Sequence, residues 1–138
     1  MLFGKRKRMI HRILVVEDEP LVAFDNEHFL RDAGFDIVAT VDRAGEALRF
    51  IEPGDLDLVL ADVRLSDGSG LDVAHAARAK GIALLFVTGE APAEAAELAL
   101  GVLAKPYTPR DLVAAIGAVD AQLGGKPLKK LPPGLTLF

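Results

Sequence analysis

The chain has no cysteine, which excludes disulfides and thiolate metal sites. No apolar run is long enough to span a bilayer. The basic start contains no signal-peptide core, because His11 and Arg12 follow Met9-Ile10 at once. No internal repeat is visible. Acid is missing from both ends. Residues 1–12 carry five Lys/Arg and no acid, and residues 124–138 carry three Lys and no acid. All 20 acids fall in residues 13–123 beside eight bases, so that stretch is −12 while the whole chain is −4. An acidic core argues against nucleic-acid binding by the folded part. These absences lead us to expect a soluble cytoplasmic protein with no membrane partner.

What is present suits one domain. The chain has 138 residues, 51% of them hydrophobic, enough for a single core. Residues 1–10 are expected to be a flexible basic arm. Its Lys5-Arg6-Lys7-Arg8 run reads as solvated rather than as a contact for RNA or an acidic partner. Residues 11–123 form the expected domain. Residues 124–138 have paired Gly and three Pro, and are expected to lack regular structure despite apolar Leu135, Leu137 and Phe138.

Within the domain, short apolar runs alternate with helical patterns. The runs are Ile13–Val16, Asp36–Val41, Leu56–Ala61, Ile82–Val87 and Gly101–Ala104. Between the first two, Pro20 suits a helix start, Val22, Phe29, Leu30 and Ala33 suggest its apolar face, and Gly34 ends it. Asp42 is the expected cap of a second helix carrying Leu48 and Ile51. Ser69 caps a third, with Asp72 three residues on, and Gly81 closes it. Residues 92–100 are weakly helical. Thr108-Pro109-Arg110-Asp111 opens the last helix, with Leu112, Ile116, Val119 and Leu123 on its buried face. Five strands alternating with five helices imply an α/β fold: a doubly wound parallel sheet covered on both faces.

Four islands sit at the ends of those strands: Glu17-Asp18, Asp62, Thr88 and Lys105-Pro106. Each alone has a plainer reading. The acid pair could cap a helix, with Glu19 sharing that work. Asp62 could be a turn residue, Thr88 a strand residue, and Lys105-Pro106 a surface turn. In an open parallel sheet, however, strand ends face one way, and the four would meet. Three carboxylates packed together repel unless a cation sits among them. A hard divalent ion such as Mg²⁺ suits oxygen ligands plus phosphate. Asp62 is then a candidate nucleophile for an aspartyl phosphate. Lys105 offers a point cation and Thr88 a hydroxyl to the phosphoryl oxygens.

The stretches ILVVEDEP, LVLADVRLSDGSGLD, LLFVTGE and AKPYTPRDL together resemble the response-regulator receiver domain of two-component signalling, over about residues 11–123. The resemblance implies a flavodoxin-like fold with strand order 2-1-3-4-5. Receivers are themselves examples of the strand-end rule, so that agreement is not independent. It implies Asp62 as phospho-acceptor, Asp18 as a direct Mg²⁺ ligand, Glu17 as a water-mediated one, and the Arg64 carbonyl as a further ligand. Thr88 and Lys105 would bind the phosphoryl group. Gly70 matches the glycine eight residues after the acceptor. Three features depart from the pattern. Ser66 stands where the family often has Pro. The stretch from Thr88 to Lys105 is short, suggesting a small or mobile fourth helix. Val102 replaces the aromatic switch residue of many receivers, while Tyr107, the only tyrosine, lies two after the lysine. The fourth strand is similar to a single-domain subgroup called FAT GUY, associated with alphaproteobacterial signalling and stress responses. Phe86, Thr88 and Gly89 fit its Phe-Ala-Thr-Gly-Tyr pattern, whereas Val87 and Glu90 do not.

A stand-alone bacterial phosphoprotein is therefore expected: fifteen tail residues are too few for a DNA-binding output domain, and the shortened stretch belongs to the usual dimerising face of receivers, so a monomer is expected. A histidine kinase or phosphotransfer protein would phosphorylate it, and it would signal to a downstream protein. A shuttle or sink in a phosphorelay is the alternative. It would not be an enzyme beyond promoting its own phosphorylation and dephosphorylation. An aspartate-nucleophile phosphatase of the haloacid dehalogenase kind would need Asp where Arg64 stands. A nucleotide- or flavin-binding module would need a third glycine beside Gly68-Ser69-Gly70, after the first strand.

Overall fold

A computed structural model describes residues 8–138, so Lys5-Arg6-Lys7 lie outside the described residues. In chain order the elements are β1 (Arg12–Val16), α1 (Pro20–Asp32), β2 (Asp36–Val41), α2 (Ala44–Ile51), β3 (Leu58–Ala61), the two-residue strands β4 (Arg64–Leu65) and β5 (Gly68–Ser69), α3 (Gly70–Ala79), β6 (Ala83–Thr88), α4 (Ala95–Leu98), β7 (Gly101–Ala104), α5 (Pro109–Leu123) and β8 (Leu135–Leu137). The main sheet runs β2-β1-β3-β6-β7-β8. Its first five strands are parallel and keep the expected order.

The strands sort their side chains by the two-residue period. Ile13, Val15, Leu58, Leu60, Leu85 and Val87 face one side, where α1 and α5 bring Leu30, Leu112, Ile116 and Val119. Leu14, Val16, Val59, Ala61, Leu84 and Phe86 face the other, under α2, α3 and α4. Both faces of the central strands are buried, which explains their unbroken apolar text.

The helix ends mostly follow the local signals. Thr108 and Asp111 form a reciprocal capping box at α5. Ser69 caps α3 by accepting from the Leu71 N–H. Asp42, however, does not cap α2. Asp67 reaches across from the β4–β5 turn and accepts from the Ala44 and Gly45 N–H groups at 2.6 and 3.1 Å. Those two N–H groups hold the Asp67 carboxyl below its ordinary pKa. The expected face of α1 is also corrected. Leu30 is buried, but Phe29 is partly exposed, and Asn26 is buried instead, bonded to Tyr107 at 2.9 Å. Leu48 and Leu123 are likewise partly exposed.

Two expected boundaries move. Ile10 is fully buried, and the Met9 and Ile10 N–H groups donate to Asp120, so residues 8–10 belong to the domain rather than to a flexible arm. The 124–138 segment does not lack regular structure throughout. Its end forms β8, antiparallel to β7, so the sheet has six strands rather than five. The physical reason is the bare edge of β7, whose backbone groups need partners. Ala104 donates its N–H to Gly134 O at 2.9 Å, and Phe138 donates to Leu100 O at 3.0 Å. Gly134 turns the chain with φ +82, and Leu135 fills the core beside β7.

Candidate phospho-acceptor site

Parallel register sets the strand ends level. Val16 pairs with Ala61, Ala61 with Phe86, and Thr88 with Ala104. The residues just beyond those pairs therefore share one edge. Glu17, Asp18 and Asp62 place carboxylate oxygens within 4.8 Å of one another. Lys105 extends from the end of β7, and its Nζ lies 2.7 Å from Asp62 Oδ2 and 2.8 Å from Glu17 Oε1. Its N–H donates to Thr88 O, tying the lysine backbone to the end of β6. The bond between Lys105 and Pro106 is cis.

Burial gives these contacts weight. Glu17 and Asp62 are buried, at 1% and 7% exposure. Desolvation raises the Glu17 pKa, opposed by the Lys105 ammonium. Burial alone would lower the pKa of Lys105, but its close contacts with the carboxylates of Asp62, Glu17 and Glu19 hold it above its ordinary value. The ammonium is therefore a fixed positive charge. Asp62 is oriented from its other side, where Oδ1 accepts from the Val63 N–H at 2.7 Å.

The predicted residues do not all engage alike. Thr88 is buried in the wall of the cleft, but its hydroxyl exchanges hydrogen bonds with the Glu90 backbone at 3.2 and 3.3 Å. The Arg64 backbone N–H points at Asp62 Oδ1, 3.4 Å away. The Arg64 side chain reaches across the mouth to Glu90 at 3.6 Å. A cleft of about 650 Å³ lies among Asp62, Arg64, Thr88, Glu90 and Lys105.

Sequence reasoning missed two participants. Glu19 caps nothing with its side chain, which instead holds Lys105 Nζ at 2.8 Å. Its place beside the acid pair was visible, but a helix-start acid reads first as a cap. Glu90 engages both Thr88 and Arg64, and nothing in its spacing signalled that.

The donor set fits a hard divalent cation. Glu17 Oε1 is buried, and its ion-pair contact with Lys105 lacks the alignment of a hydrogen bond. One ammonium contacts three carboxylates, and Asp18 adds a fourth acid to the cluster, which leaves negative charge to be neutralised. Replacing Lys105 by Met is therefore expected to lower metal-free stability by about 1–3 kcal/mol, since removing one partner of a largely buried pair strands the other. Millimolar Mg²⁺ is expected to restore more stability to Lys105→Met than to the wild type. Urea unfolding with and without Mg²⁺ checks this; equal responses in the two proteins would refute it.

A buried carboxylate at a sheet edge, flanked by two more acids and a fixed ammonium, is the arrangement expected of a receiver domain. Residues 13–117 match the family model "Response regulator receiver domain", and the chain belongs to that family. It is 32% identical over 111 residues to the transcriptional regulatory protein PdtaR of Mycobacterium tuberculosis, covering 76% of this chain and 54% of that one. It is 32% identical over 122 residues to the phyllosphere-induced regulator PhyR of Methylorubrum extorquens, covering 78% and 43%. The chain thus spans about half the length of the curated relatives it matches. A CheY-like receiver domain structure from Methanospirillum hungatei superposes with a TM-score of 0.74 at 27% identity, covering 84% of this chain and 98% of that one.

Proposed function

We propose that this receiver domain is a phospho-acceptor switch that takes a phosphoryl group on Asp62 from a histidine kinase or phosphotransfer protein and signals to a protein partner. The observation that carries this reading is the Asp62–Lys105 contact at 2.7 Å inside an acidic cluster. Asp18, Asp62 and the Arg64 carbonyl would hold Mg²⁺, with Glu17 reaching it through water. Bound there, the ion would supply positive charge to neutralise the acceptor and a centre on which the incoming oxygens could be oriented. Asp62 Oδ2 attacks phosphorus, and the donor's imidazole leaves with the electron pair of the broken P–N bond. Lys105 exchanges part of its carboxylate contacts for a phosphoryl oxygen. The Thr88 hydroxyl turns from Glu90 O to another. The chain acts only on itself in this scheme.

A donor must approach over the surface beside Asp62. Leu21 and Phe24 on α1, the helix that starts just after Glu19, are 80% and 69% exposed, an unusual cost for large apolar side chains. Val22, Phe29, Pro106 and Tyr107 line a hollow that Lys105 also borders. We assign this face to the phosphoryl donor. The strand-end match at Phe86, Thr88 and Gly89 supports a role in stress-response signalling.

The signal leaves through the segment after Thr88. Val102 is buried and cannot act as a swinging aromatic. Four-residue α4 is pinned by Ala95 and Leu98 in the core and by an Arg78 bond to Glu97 O. Drawing the Thr88 hydroxyl to a phosphoryl oxygen removes its two bonds to Glu90. Beryllofluoride, a phosphate mimic, is therefore expected with Mg²⁺ to change amide exchange across residues 89–101. Unchanged protection there, with the mimic bound, would rule out this route.

A further inference from the structure

The β7 edge carries an observation the phospho-acceptor chemistry does not use. Gly101 has an ordinary φ, so its backbone does not demand glycine. A Cβ there would lie 2.5 Å from Thr136 O and 2.9 Å from Leu137 Cδ2, and its three nearest neighbours all belong to the 134–138 segment. Gly101 is thus a gap that only a chain paired to β7 fills. That pairing is slight. It covers Gly101–Leu103 against Leu135–Leu137, with Leu135 as its single buried side chain, while Thr136 and Phe138 are exposed.

We propose that the β7 edge is a docking surface for an extended partner segment, entered by antiparallel strand addition, and that residues 134–138 occupy it until such a segment replaces them. The fitting segment has apolar side chains at two alternate positions, as at Leu135 and Leu137, and lies with its backbone against Gly101. β8 itself demonstrates that geometry. The linking residues include Gly125, at φ +66, and Pro127, Pro132 and Pro133, a tether able to release and recapture its end.

The edge is wired to the phosphorylation site. Ala104 donates its N–H to Gly134 O, and the next residue, Lys105, donates its N–H to Thr88 O. A phosphoryl group that draws Thr88 and Lys105 inward pulls the end of β7 from Gly134, so phosphorylation loosens β8. This trigger rests on the phospho-acceptor reading, whereas the docking surface does not.

The test uses a labelled synthetic peptide of residues 126–138 titrated into full-length proteins by fluorescence anisotropy. In the wild type the attached segment competes at a high effective concentration, so the peptide binds weakly. Leu135→Asp expels the attached strand and leaves the edge open, and the peptide is expected to bind about tenfold or more tightly. Gly101→Ala also expels it but blocks the edge with a methyl group, and no binding is expected. Circular dichroism verifies that each variant is folded; a variant that fails is replaced by Leu135→Ser or Gly101→Ser. Equal binding to all three proteins, or none to the opened variant, overturns the docking surface. Mg²⁺ with beryllofluoride is expected to give a gain in amide exchange at residues 134–138 of the wild type. Beryllofluoride taken up without that gain overturns the trigger alone. No uptake at all counts against the phospho-acceptor reading.

Discussion

Asp62→Asn is expected to lose every response to phosphate mimics while keeping its fold. The asparagine carbonyl can still accept the Val63 N–H that Asp62 Oδ1 accepts at 2.7 Å, and the side chains are nearly isosteric. An amide is no nucleophile for phosphorus, and it brings no charge for a cation. In the wild type, ligand bound only by the folded state stabilises it by about 2.7 kcal/mol when present at a hundred times its Kd. Thermal unfolding of both proteins in Mg²⁺ and beryllofluoride reads the difference directly. The wild type is expected to gain stability and Asp62→Asn to gain none. A retained gain in the variant would place the phosphoryl site elsewhere.

Gly70→Ala is expected to damage fold and site together. Gly70 opens α3 directly behind the acceptor, and its N–H donates to Val63 O at 2.7 Å. A Cβ there would lie 2.0 Å from Asp62 O, and 2.9 Å from both Asp62 C and Val63 Cα. All three are backbone atoms, so no rotamer change relieves the clash. Either α3 or the end of β3 must move, at roughly 1–3 kcal/mol or more by the usual cost of overpacking. Moving β3 carries Asp62 away from Lys105. Gly70→Ala should therefore unfold at lower urea and phosphorylate more slowly. A variant as stable and as fast as the wild type would show that the glycine is not there for space.

Much of this was legible in the sequence, for identifiable reasons. Strands buried on both faces leave continuous apolar runs, and their ends in a parallel sheet all point one way. Glu17, Asp18, Asp62, Thr88 and Lys105 could therefore be gathered at one edge without coordinates. The capping box at Thr108 and the turn at Gly34 are local and were equally visible. What failed was non-local. Asp67 caps α2 from 23 residues away, beating the adjacent Asp42, because the β4–β5 turn folds back onto that helix. Phe29 fits a helical apolar stripe by spacing, yet Asn26 takes the buried place because Tyr107 supplies its partner. The glycines and prolines of residues 124–138 read as breakers of structure. They shape the path to β8, whose pairing depends on a bare strand edge and on Gly101, more than thirty residues earlier in the chain.

The central claim is that Asp62 is the acceptor. Incubating the protein with acetyl phosphate and Mg²⁺, reducing it with borohydride, and sequencing its peptides by mass spectrometry tests this at one residue. An acyl phosphate on aspartate is converted by borohydride to homoserine, which marks the position. The account predicts one modified site, at residue 62, dependent on Mg²⁺. No modification with an active donor, or modification at another carboxylate, would contradict it.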